Sequence, residues 1–148
     1  MVQNSTPVVA ALERALADTY ALALKTQNYH WNVVSPTFFG LHKMFEEQYD
    51  DMHAAVDELA ERIRALGAAA PGGFRVFLDT TSIADAVDGA DANGMLDDLI
   101  DSQATMAQTL KTGINAAEEA DDPVTADMLT ERLTEHDKQA WMLRATRG

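Results

Sequence analysis

The chain has 148 residues, no cysteine and a formal net charge of −13, with 47% hydrophobic and 7% aromatic residues. That length implies a single domain spanning 1–148, and the abundance of Ala, Leu and Met points to a soluble helical protein. Disulfides, thiolate metal sites and Cys nucleophiles are excluded. No window reaches the ~18 apolar residues of a membrane span. The opening M-V-Q-N-S-T-P-V-V-A-A-L lacks the basic stretch and long apolar run of a secretory leader, so a cytoplasmic location is expected. The acid is uneven: residues 1–78 carry 9 acidic and 6 basic side chains, residues 79–148 carry 15 and 5. Such a surface repels nucleic-acid phosphates and attracts cations. The excess of Asp over Glu, with few Lys, would also suit a high-salt cytoplasm.

Residues 6–33 read as a long helix whose stripe is Val9, Leu12, Leu16, Tyr20, Ala23 and Leu24, with Ser5 or Thr6 and Pro7 at its start. Ser35-Pro36 supplies a cap and a first helical position for a second helix, ended by Gly67. Its stripe is Leu41, Phe45, Met52, Val56, Leu59 and Ile63. A connection of about 25 residues follows, too long to be structureless in a compact domain. Thr81-Ser82 ahead of Ile83–Val87 suggests a short helical stretch within it. Asn93 is the expected cap of the third long helix, with Met95, Leu96, Leu99, Ile100, Met106, Leu110 and Ile114 inward. Gly113 within it is either a cost of ~1 kcal/mol relative to Ala or a close-packing position. Asp122-Pro123 starts the fourth, which turns Met128, Leu129, Leu133, Trp141 and Met142 to the core. The expected fold is all-α, a four-helix bundle with a long crossover carrying a short helix between helices 2 and 3, the connectivity of a ferritin-like bundle.

Three of the four histidines and many carboxylates fall between His30 and Glu61. At about 100° per residue, His42, Glu46, Asp57 and Glu61 lie near 0°, 40°, 60° and 100°, on one face of the second helix. His42/Glu46 and Asp57/Glu61 are i,i+4 pairs, a spacing at which two side chains can hold one metal. The pairs are centred roughly 22 Å apart along the axis, so one chain cannot bring both to one ion. Either they are two weak half-sites, or a second copy runs antiparallel across a two-fold near Asp51-Met52 and makes two identical shared sites. The competing reading is a solvated helix face with incidental histidines. Imidazole and carboxylate ligands suit Fe(II), Mn(II) or Zn(II) alike.

Trp31, beside His30, is a core residue or an acceptor of oxidising equivalents from a redox metal. His53, near 20° on the same face, reads as structural, Asp50 and Glu58 as supporting or solvated acids, and His136 as ordinary. A di-iron centre inside one chain needs Glu-x-x-His on two helices, and only Asp50-x-x-His53 approaches that pattern. Phosphate loops, serine elbows and zinc-protease motifs are absent.

H-W-N-V at 30–33, the twelve-residue step to His42, F-E-E-Q-Y at 45–49 and D-E-L-A-E-R-I-R-A-L-G at 57–67 resemble the Dps family, the DNA-binding proteins from starved cells. A-P-G-G-F-R-V-F-L-D-T-T-S-I at 70–83, D-P-V-T-A-D-M-L and W-M-L-R-A extend the likeness over almost the whole chain. The resemblance implies a hollow dodecamer with ferroxidase centres between subunits. His30, His42 and Glu46 would come from one subunit, and Asp57 and Glu61 from its two-fold mate. It implies dinuclear Fe(II)/Fe(III) chemistry, with Zn or Mn as possible substitutes, oxidation preferably by hydrogen peroxide, and storage of ferric oxide that limits oxidative stress. Many members have Asp where this chain has Glu46, a difference that bears on the second metal. Asp122, Asp127 and Glu131 match positions lining a three-fold pore, where a ring of carboxylates admits cations. A nucleoid-compacting protein and a passive divalent-metal cage are the alternatives.

Family members that bind DNA often use a Lys/Arg-rich tail, but the first ten residues here have no basic side chain and the C-terminus offers only Arg144 and Arg147. The purified protein is therefore expected to leave DNA unshifted in a gel at ordinary ionic strength. Compaction retained at low salt would refute this.

Overall fold

A computed structural model describes residues 6–148, which form five helices and no strand. These are α1 (Pro7–Asn32), α2 (Phe38–Ala65), α3 (Phe74–Thr80), α4 (Ala92–Glu119) and α5 (Pro123–Arg147). Five residues link α1 to α2 and three link α4 to α5, so each pair folds as a hairpin of antiparallel helices. The hairpins pack together mainly through α1 against α4, while α3 lies on α1. Among the described residues no helix is long and apolar enough to cross a membrane.

The helix ends follow from local chemistry. Thr6 caps α1, its hydroxyl accepting the Val9 N–H at 3.2 Å; Ser5 lies outside the described residues. At Gly67 the backbone turns left-handed (φ +91°), and Ala68 N–H reaches Ile63 O while Gly67 N–H reaches Arg64 O, a Schellman closure of α2. Asp121 does the same for α4 with φ +53°. Asp122 caps α5 by accepting the Thr125 N–H at 3.0 Å.

Two starts differ from expectation. Ser35 does not cap α2: its hydroxyl closes a tight turn onto the Thr37 N–H at 3.1 Å, with Pro36 inside the turn, and the helix begins at Phe38. Asp91, not Asn93, caps α4, because its carboxylate takes the Gly94 N–H at 2.7 Å.

The core draws Leu12, Leu16, Leu22, Phe45, Met52, Leu59, Ile63, Leu99, Met106, Leu110, Leu129 and Leu143 together from all four long helices. Each such side chain contributes about 2 kcal/mol of hydrophobic stabilisation. Gly113 proves to be a packing position: a Cβ there would sit 2.9 Å from Leu129 Cδ1.

The crossover's short helix is α3, upstream of the expected 81–87, which runs without helix. The cause is Asp18, a carboxylate only 1% exposed inside α1. Thr81 and Ser82 hydroxyls and the Ser82 N–H all donate to it at 2.7 Å, as does the Thr109 hydroxyl of α4. Hydroxyls that could have accepted a helix's leading N–H groups donate to a buried carboxyl group instead. Further along, Val87 N–H donates to the Tyr29 hydroxyl, which itself donates to Asp98 at 2.5 Å. Burial and that hydrogen bond push the Tyr29 phenol up to about 12.

On α5 Leu129 is buried and Met128 and Leu133 pack against the core, as expected, but Trp141 does not. Trp141 is 59% exposed, roughly 120° around the helix from Leu129. The buried positions are Thr125, Leu129, Arg132, His136, Gln139 and Leu143, so the helix turns polar groups inward. Arg132 grips Asp51 of α2 with two guanidinium nitrogens at 3.2 and 2.8 Å. Its Nη2 also reaches His136 Nε2 at 3.1 Å, and His136 Nδ1 donates to Gln103 Oε1 at 2.8 Å. Gln103 donates to Gln139, and Gln139 closes the ring onto Asp51 at 2.9 Å.

Burial, reinforced by the Arg132 charge and only partly opposed by Asp51, pushes His136 down to about 3. Below pH ~6.5 the unfolded chain takes a proton that the folded chain refuses, so this group's contribution is complete above that value and is lost as pH falls toward 3. Denaturant titrations should show a component of about 1.4 kcal/mol per pH unit across that window, absent in His136→Gln.

Candidate metal centre

The α1–α2 hairpin brings His30 and His42 face to face, with ring centroids 3.7 Å apart and planes 12° from parallel. His30 Nδ1 contacts the His42 carbonyl at 2.6 Å, and His42 Nδ1 contacts the His30 carbonyl at 2.8 Å. A carbonyl only accepts, so both Nδ1 atoms carry hydrogen and, in the neutral rings, both Nε2 atoms keep the lone pair a metal needs. His30 is 7% exposed, and the Phe38 ring flanks His42 at 4.9 Å.

Glu46 lies one turn beyond His42, with its carboxylate 3.1 Å from the Lys43 ammonium. The hydrogen bond and charge of Lys43, with a smaller pull from His30 and His42, lower the Glu46 carboxyl below its ordinary range. Toward the other end of α2, Asp57 and Glu61 face each other. The hydrogen bond to Asp57, its repulsion and that of Glu58 raise the Glu61 carboxyl. Among the described residues neither forms an ion pair, and such a carboxylate pair is the kind of group a divalent cation relieves.

The five expected ligands thus fall into two half-sets on one chain. Among the described residues, no three His, Asp or Glu side chains gather where they could hold one ion. The donors fit Fe(II) or another borderline-hard divalent ion: two imidazole nitrogens and three carboxylates.

Trp31 is 60% exposed and, among the described residues, makes no aromatic ring contact. The ring that meets His30 is Tyr49, edge-on at 5.2 Å, and Tyr49 in turn meets His53 at 5.8 Å. Tyr49 lies outside the ligand set expected from the sequence. Its position seven residues after His42, two turns along one face, was the available signal. Lys43 was likewise missed, though its i,i+3 spacing to Glu46 was readable. Asp50, His53 and Glu58 are exposed on α2, and His136 belongs to the bundle's polar ring.

Of the expected pore acids, Asp122 is already engaged. Besides capping α5 it accepts the Thr125 hydroxyl at 2.6 Å and pairs with Arg62 at 3.0 Å. Burial alone would raise its carboxyl, but the Thr125 and Arg62 contacts outweigh that and lower it. Asp127 and Glu131 are exposed on α5, one turn apart.

The bundle, its crossover and the matched family together define a ferritin-like protein: the ferritin-like domain matches residues 9–148. The DNA protection during starvation protein 2 of Bacillus anthracis is 39% identical over 138 residues, spanning 93% of this chain and 94% of that protein. Dps from Staphylococcus aureus superposes with a TM-score of 0.94 at 33% identity, covering 99% of both chains. A Vibrio cholerae O1 Dps protein, described as a member of a broad superfamily of ferritin-like diiron-carboxylate proteins, gives 0.90 at 31% identity over 95% of this chain and 89% of its own. Within the ferritin-like class, the chain belongs to the Dps family.

Nitrogen-15 NMR of the histidine side chains should report the Nδ1–H tautomer for both His30 and His42 at neutral pH. A ring found with its proton on Nε2 would remove it from the ligand set.

Proposed function

We propose that this chain is an iron-oxidising and iron-storing mini-ferritin whose catalytic centres are shared between two-fold-related subunits of a hollow dodecamer. The observation that carries the reading is the division of ligands: two oriented imidazoles at one end of α2 and an unneutralised carboxylate pair at the other. An antiparallel second copy completes both sets at once. His30, His42 and Glu46 of one subunit then hold Fe(II) together with Asp57 and Glu61 of its mate.

Two Fe(II) ions supply the two electrons that hydrogen peroxide takes up. With two protons from solvent, the O–O bond breaks, two waters leave and two Fe(III) remain. The protein's part is to hold the ions close together and pass Fe(III) to acidic surfaces where oxide can nucleate. Removing iron and peroxide together protects against oxidative stress. Asp127 and Glu131 are the acids left free to draw cations toward a three-fold pore, with Asp122 fixing the start of their helix. The charge of −13 per chain opposes DNA compaction as the main role.

Anaerobic Fe(II) loading followed by peroxide tests this. Wild type should develop ferric absorbance at least tenfold faster than Asp57→Ala/Glu61→Ala, with both still assembled by light scattering. Equal rates would leave a passive divalent-metal cage as the better description.

A further inference from the structure

The aromatic contacts around His30 do not stop at the candidate centre. From the stacked His42/His30 pair they continue to Tyr49 (5.2 Å, 73°) and from Tyr49 to His53 (5.8 Å, 80°). They pass from His53 to Tyr20 of α1 (6.3 Å, 86°) and end on Phe77 of α3 (5.0 Å). Each step is an edge or face contact between π systems. The run contains two readily oxidised rings, Tyr49 and Tyr20. Tyr49 adjoins a ligand, and Tyr20 sits in an apolar groove with Leu16, Val56, Phe74 and Phe77.

We propose that Tyr49 is an electron donor to the centre, with Tyr20, reached through His53, as the next carrier. The inference rests on the shared-centre reading above. Peroxide takes two electrons and one Fe(II) supplies one. Glu46, the carboxylate of this half-set, is ion-paired to the Lys43 ammonium at 3.1 Å, and a centre that has taken up one Fe(II) supplies only one of the two electrons. Without another donor, peroxide reduction then halts at the hydroxyl-radical level.

The balanced step uses one Fe(II), one hydrogen peroxide, one Tyr49 phenol and one proton from solvent. Iron and phenol are each oxidised by one electron. The O–O bond breaks, the phenolic proton is released, and the products are Fe(III), two waters and a neutral tyrosyl radical. Tyr20 then returns an electron and a proton to Tyr49, moving the radical away from the iron. Tyr49 acts through His30 without touching iron, which makes it a donor residue and not a catalytic one.

The test is freeze-quench EPR of the assembled protein loaded anaerobically with one Fe(II) per centre and mixed with peroxide. Wild type should give a tyrosyl signal that narrows when the tyrosines are ring-deuterated, and Tyr49→Phe should lose it at least tenfold. An undiminished signal in Tyr49→Phe, or one insensitive to tyrosine deuteration, overturns the donor role. Tyr20→Phe should change the line shape and lifetime of the radical; an unchanged radical overturns the onward step. Ferric absorbance of wild type at two Fe(II) per centre separates the two readings. No peroxide-dependent oxidation there overturns the shared centre and the donor together, while oxidation without a Tyr49-dependent radical overturns the donor alone.

Discussion

Each imidazole of the His30/His42 pair donates to the other residue's backbone carbonyl, and the local arrangement depends on that exchange. It ties the last turn of α1 to the first turn of α2 across a five-residue link. Of the two carbonyls it uses, that of His30 lies in the last turn of α1, where intrahelical partners are incomplete. One pair of hydrogen bonds therefore closes the hairpin, selects the tautomer and aims both Nε2 atoms away from the backbone. The proposed metal-facing chemistry and the fold share the same two contacts, so a substitution at either histidine would act on both.

A second set of buried polar groups holds the bundle's far side. The ring of Asp51, Arg132, His136, Gln103 and Gln139 links α2, α4 and α5 where an all-apolar core would have served for stability alone. Its members must meet in one register for these hydrogen bonds to form, and even so the buried Arg132 Nε is left without a partner. The Asp18 cluster does the same for the crossover, fixing residues 81–82 against α1 and α4.

The long helices were readable because their stripes are apolar and their ends carry strong local signals: Pro7 and Pro123 at first positions, Gly67 beyond α2. The i,i+4 pairs on α2 were readable because helical geometry alone separates them. α5 misled where its inward face is Arg132, His136 and Gln139, so that Trp141 looked like a core residue while facing solvent. Periodicity of apolar residues cannot see a polar core. The crossover helix was misplaced because Thr81 and Ser82 look like caps until Asp18, more than sixty residues upstream, claims them. Asn93 failed as a cap because Asp91, two residues upstream, takes the Gly94 N–H, and Ser35 because its hydroxyl turns onto the Thr37 N–H ahead of the helix. Tyr49 stayed invisible as a neighbour of His30 because that contact crosses between helices.

The separation of ligands along α2 has a consequence for the life of a newly made chain. On the shared-centre reading proposed above, a subunit owning one half of each centre would have nowhere to bring two irons and an oxidant together before it meets a copy of itself. Turnover would then rise with the square of subunit concentration until dimers saturate, and solitary chains would lack a completed centre. Distance along a single helix would thus work as an interlock that withholds iron oxidation until partners have met.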